Sequence, residues 1–578
     1  MSTKNFKKDL NSSTTNEKFH FRHYSHSRIV GALFFIGICS IFARPLNSSN
    51  PDSYFRLVLL NLFFYLIISS LIIPVLLHQR TNKIYIYLFA LITLLLTFPY
   101  GLLRMSDNFY YQNRASYHVI PMSEPLILAK YFLSNVLPSQ FPGKIVVFAI
   151  FACVAVASLI AIKKWSHWEL HLIWVITLVT TWRSTSYASP ISWSSSRELP
   201  VESHRVYLRS HWENGAGAVS ADQPVWSELT NLFQFGVIEN TSVIRRPFTN
   251  YLVANLSFFS NSYPVWIFVN LSLWTLAAYC CMYVINYLGY SRGAQLSGGL
   301  IIATAPVFKT FVGQSSAYMS SFAATWILSA IVLYLMKTLP NKTSLFLSLT
   351  AAFGLAFLTW DLYLWIPVYL ALFMKIGVFN FQRGISILFC SFTIFLFYRF
   401  VLIPFLGIKV ASENESILLD TIGLAGTNLL NANFKYLDEM IRKSAMDFTA
   451  VTYIVVSPFV LALLIVTILL GKETLKVRSF SKFYLIAFLY PLLLVFFFSI
   501  AGNSTENTLP YRFSLLLLPI VLLTAQMIDQ IPRKYRFAYF MIFSVIFALM
   551  FLVQISNLEV FHWIYHNINM GIYRPMVW

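Results

Sequence analysis

From Ile29 onward the chain alternates between apolar runs and polar connections. Tyr54 to Leu77, Val265 to Leu288 and Val455 to Leu470 are long enough, or nearly so, to cross roughly 30 Å of hydrocarbon as helices of about 20 residues. The pattern predicts an all-α polytopic membrane protein with about 15 transmembrane helices. They are expected near 29–44, 55–78, 84–103, 144–162, 167–182, 263–288, 294–312, 317–336, 343–359, 361–377, 384–405, 449–470, 482–500, 511–530 and 536–556. The expected organisation is a basic cytoplasmic tail over 1–28, N-terminal membrane helices over 29–166, a larger membrane module over 167–530, and a last helix with an outer-face tail over 531–578.

Charge sets an orientation. With the amino terminus inside, the cytoplasmic connections carry Arg80/Lys83, Lys163/Lys164, Arg292, Lys337/Lys342, Lys375/Arg383, Lys472/Lys476/Arg478/Lys482 and Arg533/Lys534/Arg536. The short connections on the other side, around Gln314 and from Gly502 to Pro510, carry no Lys or Arg. An odd number of spans then places the carboxyl terminus outside. Long segments at about 104–143, 183–262 and 406–448 share that outer face, where function is expected to sit. In the middle one, Val225, Trp226, Leu229, Leu232 and Phe233 recur at helical spacing after Pro224, and Phe248, Leu252, Leu256 and Phe259 after Pro247. Two short interfacial helices on the membrane surface satisfy that pattern, and so do two helices packed on the outer ends of the spans.

Composition agrees with a lipid solvent. Of 578 residues 57% are hydrophobic and 11% charged, with mean hydropathy +0.64, more apolar surface than a water-soluble fold could hide. The formal charge of +19 is dispersed among short loops rather than gathered on an aromatic-studded patch, so nucleic acid is not an expected partner. All five cysteines (Cys39, Cys153, Cys280, Cys281, Cys390) fall in apolar runs, where they act as small hydrophobes, with no metal-type spacing. The first apolar run ends at Ala43 without a convincing cleavage site, so it reads as a retained first span, and a bacterial plasma membrane is favoured over an organelle.

Ionisable groups inside a bilayer usually mark pathways or sites, and the mid-membrane is nearly empty of them here. Glu169 and His171 fall near a cytoplasmic end, while Lys309, Asp361, Arg399 and Arg512 fall toward outer ends. This distribution favours a site opening on the outer surface. A transporter or flippase of a lipid-linked saccharide is the competing class, and it should bring internal repetition, paired half-helices and mid-membrane polar groups, of which no clear case appears.

The stretch from Arg197 to Phe259 includes SRELPVESHRVYLRSHWENGAGAVSADQPVWSEL and then SVIRRPFTNYLVANL. VWIFVNLSLW follows, with Asn270 early in the next span, and then LGYSRGAQLSGGLIIATAPVF. This succession resembles the GT-C membrane glycosyltransferases, particularly the protein O-mannosyltransferase-like and tetratricopeptide-linked members. There an acidic outer loop leads to an Arg-Pro step, an Asn-bearing helix and a small-residue helix ending in Pro-Val; the steps here are Arg246-Pro247, Asn270 and Pro306-Val307. GLAFLTWDLYLWIP resembles a segment where a helix pair turns at the outer face, with Trp360-Asp361 where such members often carry a lysine near the donor phosphate. LPYRFSLLLLPI resembles the family's late arginine-bearing helix. The resemblance covers roughly 167–530 and leaves the first four spans outside. An O-antigen polymerase or ligase keeps the same sugar chemistry, but the Arg-Pro, Asn and Pro-Val succession is not its signature.

The resemblance implies a sugar carried on a polyprenyl phosphate and transferred at the outer face to a glycan, lipid or protein acceptor. Such chemistry needs a carboxylate to take the acceptor's proton and a cation to offset charge on the departing phosphate. By its place in the acidic loop Asp222 is the expected base, with Glu202 and then Glu213 and Glu228 in reserve; an Asp beside Pro224 also serves as an ordinary helix cap. Arg512, then Arg246 and Arg399, are the expected phosphate ligands, each also able to snorkel at a helix end. Trp360 and Asp361 suit a sugar pocket, although an interfacial aromatic belt gives the same composition and is the commoner explanation. No cofactor is required; His204 and His211 stand near the carboxylates in a spacing that diagnoses no metal, so a divalent cation stays open.

Overall fold

The computed structural model describes residues 17–43, 51–78, 83–97, 169–170, 172–177, 232–233, 236, 247–256, 262–305, 308, 318–359, 366–375, 381–408, 427, 460, 465, 469, 481–500 and 516–555. Among the described residues there are helices and turns and no strand. Four helices among the described residues are long and apolar enough to cross a membrane: Pro51–His78, Phe268–Tyr287, Met319–Thr338 and Phe381–Phe405. Shorter apolar helices accompany them, among them Lys342–Phe357 and Leu517–Gln530. Helices of this length and hydropathy suit a lipid bilayer, in which every backbone polar group must be satisfied within its own segment.

We number the helices α1 (Glu17–Phe42), α2 (Pro51–His78), α3 (Lys83–Thr97), α4 (Pro247–Leu256), α5 (Ser262–Tyr287), α6 (Arg292–Ala303) and α7 (Tyr318–Thr338). The series continues with α8 (Lys342–Phe357), α9 (Ile366–Lys375), α10 (Phe381–Leu396), α11 (Ser481–Ile500), α12 (Leu517–Gln530) and α13 (Arg536–Ile555). Each overlaps a run expected from hydropathy except α4, which lies in the outer loop. The run at 144–162 lies outside the described residues, as does most of 449–470.

Two elements, α1 and α6, differ from the expectation, each for a local reason. Helix α1 starts at Glu17, well ahead of the apolar run, because Glu17 to Arg28 contains neither Pro nor Gly, and His26 Nε2 is fixed 3.0 Å from the Leu76 carbonyl at the end of α2. Helix α6 ends at Ala303, although the apolar run continues: Pro306 has no N–H to offer, and the chain turns through Thr304 and Ala305, whose amides bond back to Leu300 and Ile302. Helix α4 takes the second of the two placements its pattern allowed and is packed against α2, α3 and α5. Its fully buried residues are Thr249, Asn250, Tyr251, Val253, Ala254 and Asn255, whereas Phe248, Leu252 and Leu256 are only partly covered.

The larger core cluster joins α5 to α9 with α11, α12 and α13. Its tightest seam is at Gly298 and Gly299 of α6, where small residues let backbones approach, as membrane helix interfaces favour. Trp274 of α5 donates from Nε1 to the Ile302 carbonyl at 2.8 Å and stacks on Phe308 with centroids 5.8 Å apart. A second cluster joins α2, α4, α8 and the end of α10 around Phe64, whose ring stacks on Tyr251 at 4.9 Å and meets Phe233 edge-on at 5.6 Å.

Several hydrogen bonds between elements gather toward one or the other end of the helices. His26–Leu76, Tyr334–Tyr85, Arg292–Glu169, Ser291–Asp529 and Tyr484–Gln526 all join ends that the alternating pattern assigns to the amino-terminal side. Arg56–Leu406, Asn61–Phe233, Phe248–Leu358 and Thr249–Ser320 all join ends assigned to the opposite side.

Candidate functional site

Of the residues singled out from the sequence, Asp222, Glu202, Glu213, Glu228, Arg246, Arg512, Trp360, Asp361, His204 and His211 lie outside the described residues; Arg399 lies within them. The described residues that flank several of these can be located. The N–H of Phe248, two positions after Arg246, donates to the carbonyl of Leu358 at 3.2 Å, two positions before Trp360. Thr249 Oγ1 donates to Ser320 Oγ at 2.7 Å, which ties the same first turn of α4 to the start of α7. Leu232 and Phe233 are fully buried in the second cluster, together with Tyr251, Leu358 and Tyr398. The flanks of Arg246, of Trp360-Asp361 and of Arg399 therefore meet in one place. Those of Arg512 do not: Leu516 and Leu517 belong to the larger cluster.

Arg399 sits in a π turn, Phe397–Leu402, that continues α10 into Ile403–Phe405. The Ile403 N–H bonds to the Tyr398 carbonyl, five residues back. Pro404 follows at once; its missing N–H and bulky ring disfavour an ordinary turn, and the wider one ahead of it absorbs the misfit. The guanidinium-bearing residue is half-buried, while its neighbour Tyr398 is fully buried, stacked on Phe63 at 5.6 Å and meeting Phe64 at 6.0 Å. Arg399 thus stands on a locally widened turn beside the buried cluster.

The sequence pattern missed residues on α2. Arg56 donates from Nε to the Leu406 carbonyl at 2.8 Å, and Asn61 is fully buried with hydrogen bonds to Phe233 and Asn255. The available signal was a lone amide in the run LVLLNLFFYL, which hydropathy averages away.

A second polar group closes the opposite end. Arg292 Nη2 lies 3.0 Å from Glu169 Oε1, and the Ser291 N–H donates to Asp529 Oδ1 at 3.0 Å, so the α5–α6 turn is tied to two other segments. Gln295 Nε2 closes the turn by donating to Asn286 Oδ1 and to the Tyr290 carbonyl. Burial first, and the Asp529 carboxylate next, push the Tyr290 phenol up to about 12. The phenol therefore stays protonated near neutrality, and the hydrogen bonds and ion pair of this turn read as a brace. Because the Arg292 side chain is 62% exposed, Arg292→Ala is expected to lower stability by less than about 1 kcal/mol, measured by thermal unfolding in detergent. A loss of several kcal/mol would mark this end as more than a brace.

Among the described residues no three of His, Cys, Asp and Glu come together as a metal-holding group. No protein-family model, curated protein or solved structure matches this chain.

Proposed function

We propose that this chain is a multi-pass membrane glycosyltransferase that moves a sugar from a polyprenyl-phosphate donor to a glycan, lipid or protein acceptor. In this reading the amino terminus is cytoplasmic, the carboxyl terminus is outside, and the reaction takes place at the outer face of a bacterial-type plasma membrane. Asp222 is the base, with Glu202 its neighbour in the acidic loop. Arg246, Arg399 and Arg512 bind the donor phosphate, and Trp360 and Asp361 line the sugar.

The observation that carries the reading is the bond from Phe248 to Leu358. It joins two chain segments, far apart in sequence, that bear the Arg246-Pro247 and Trp360-Asp361 steps of the family resemblance. The cluster that contains this bond also holds Tyr398, next to Arg399. A donor whose tail stays in lipid and whose acceptor is aqueous needs its reacting atoms at this level of the membrane, since preorganised charge must already stand where the leaving phosphate develops.

The test is to purify the protein in lipid and measure consumption of a panel of polyprenyl-phosphate sugars with candidate acceptors. Consumption supports the reading; none with any acceptor moves the assignment to transport of a lipid-linked saccharide. Arg512→Ala is expected to raise the donor concentration needed for half-maximal rate by about tenfold or more, the scale of one charge-assisted phosphate contact. An unchanged donor dependence would remove Arg512 from the phosphate site, in keeping with the separate cluster in which its neighbours lie.

A further inference from the structure

We infer that Asn61 is a positioning residue of the outer-end site, and that through it the leading helix α2 belongs to the same working unit as the outer loop. What is positioned rests on the function proposed above; the tie itself stands on geometry. A carboxamide offers two donor hydrogens and an acceptor oxygen. Asn61 Nδ2 donates to the Leu57 carbonyl of its own helix at 2.8 Å and to the Phe233 carbonyl at 3.1 Å, and Asn61 Oδ1 accepts from Asn255 Nδ2 at 3.4 Å. One fully buried side chain thus joins α2 to the loop segment ending at Gly236 and to α4, partners 172 and 194 residues away.

The neighbouring contacts run the same way along α2. Gly236 has φ +68°, and a Cβ there would fall 1.7 Å from the Ser53 carbonyl oxygen, so the loop backbone lies directly on the first turn of α2. One turn further along, Arg56 holds the Leu406 carbonyl at the end of the π-turn segment. An apolar residue at 61 would suit a purely lipid-embedded span better, because an amide in hydrocarbon is costly unless paired. Here its partners are the stretch that follows Asp222 and the helix that follows Arg246. Helix α2 therefore acts as the post on which both are hung, although it lies outside the segment that resembles the transferases.

The experiment uses the full chain in lipid nanodiscs, as wild type, Asn61→Leu and Asn255→Leu, with hydrogen exchange and sugar consumption measured on each. Asn61→Leu is expected to speed exchange about tenfold in peptides covering 232–236 and 247–256 and to leave Ser481–Ile500 unchanged. Asn255→Leu keeps the bond to Phe233, so it is expected to loosen 247–256 alone. In the Asn61 variant kcat should fall about tenfold while the KM for the polyprenyl-phosphate sugar stays within about twofold, a split that general destabilisation would not give. Equal loosening of Ser481–Ile500, unchanged exchange at 232–236, or local loosening with wild-type kcat overturns the inference. If Asn61→Leu does not yield folded protein, the Asn255→Leu pattern decides: loosening of 232–236 as well overturns the selective tie. Local loosening as expected in a protein whose wild type consumes no sugar would overturn the proposed chemistry and support the tie.

Discussion

Asp222→Asn is expected to abolish sugar transfer, lowering turnover by about 10²-fold to 10⁴-fold, the range for loss of a positioned general base. Asparagine keeps the shape and the capping capacity of aspartate, so the variant should stay folded in the membrane, and donor binding should change little. The informative comparison is therefore single-turnover consumption of the polyprenyl-phosphate sugar beside a binding measurement on the same preparation. A base acts as the new bond forms, so kcat should fall and donor affinity should not. Wild-type turnover in Asp222→Asn would pass the role to Glu202, the next carboxylate of the same loop.

The second large effect is structural. Gly298→Leu is expected to destabilise the folded protein by about 3 kcal/mol or more, because overpacking a close helix contact forces displacement on both sides. A Cβ at Gly298 would fall 2.3 Å from Ile285 Cδ1, 3.2 Å from Val521 Cγ1 and 3.3 Å from Cys281 Sγ, so three side chains from α5 and α12 close over that position. Gly298→Ala should cost far less, since the closest contact is the tip of an isoleucine that can rotate aside. Thermal unfolding in detergent should separate the two substitutions. Similar midpoints for alanine and leucine would mean that α6 sits less tightly between α5 and α12 than these distances require.

The long helices were legible because a bilayer leaves a simple mark: α2, α5, α7 and the continuous helix Phe381–Phe405 that α10 begins contain apolar runs long enough to cross it, and their hydropathy says so without help from tertiary structure. The early end of α6 was not legible from hydropathy, because Pro306 alters the backbone while the run around it stays apolar. Helix α4 was legible as a helix, and of the two placements its pattern allowed the structure takes the packed one. Its apolar spacing singles out Phe248, Leu252 and Leu256, yet these are only partly covered while Thr249 and Asn255 are among the buried residues, because polar groups bury when distant partners satisfy them. Those partners, Asn61 and Ser320, are far away along the chain. At the candidate site, Arg399 stood out as a charge in an apolar run, whereas Asn61 carries no charge and belongs to helices outside the family resemblance.

The bond from Arg56 to the Leu406 carbonyl spans 350 residues and has a consequence for synthesis. At about 5 to 20 residues per second, roughly 20 to 70 seconds separate the emergence of these two partners from the ribosome. During the first part of that interval α2 has only its near neighbours α1 and α3, and α4, α8 and the π-turn segment reach it later. Its buried amide is provided for, since Asn61 can already bond to Leu57 one turn earlier in the same helix. The last assembly step of this end of the protein is then an exchange, in which a helix that has been self-sufficient in lipid takes up late-arriving neighbours.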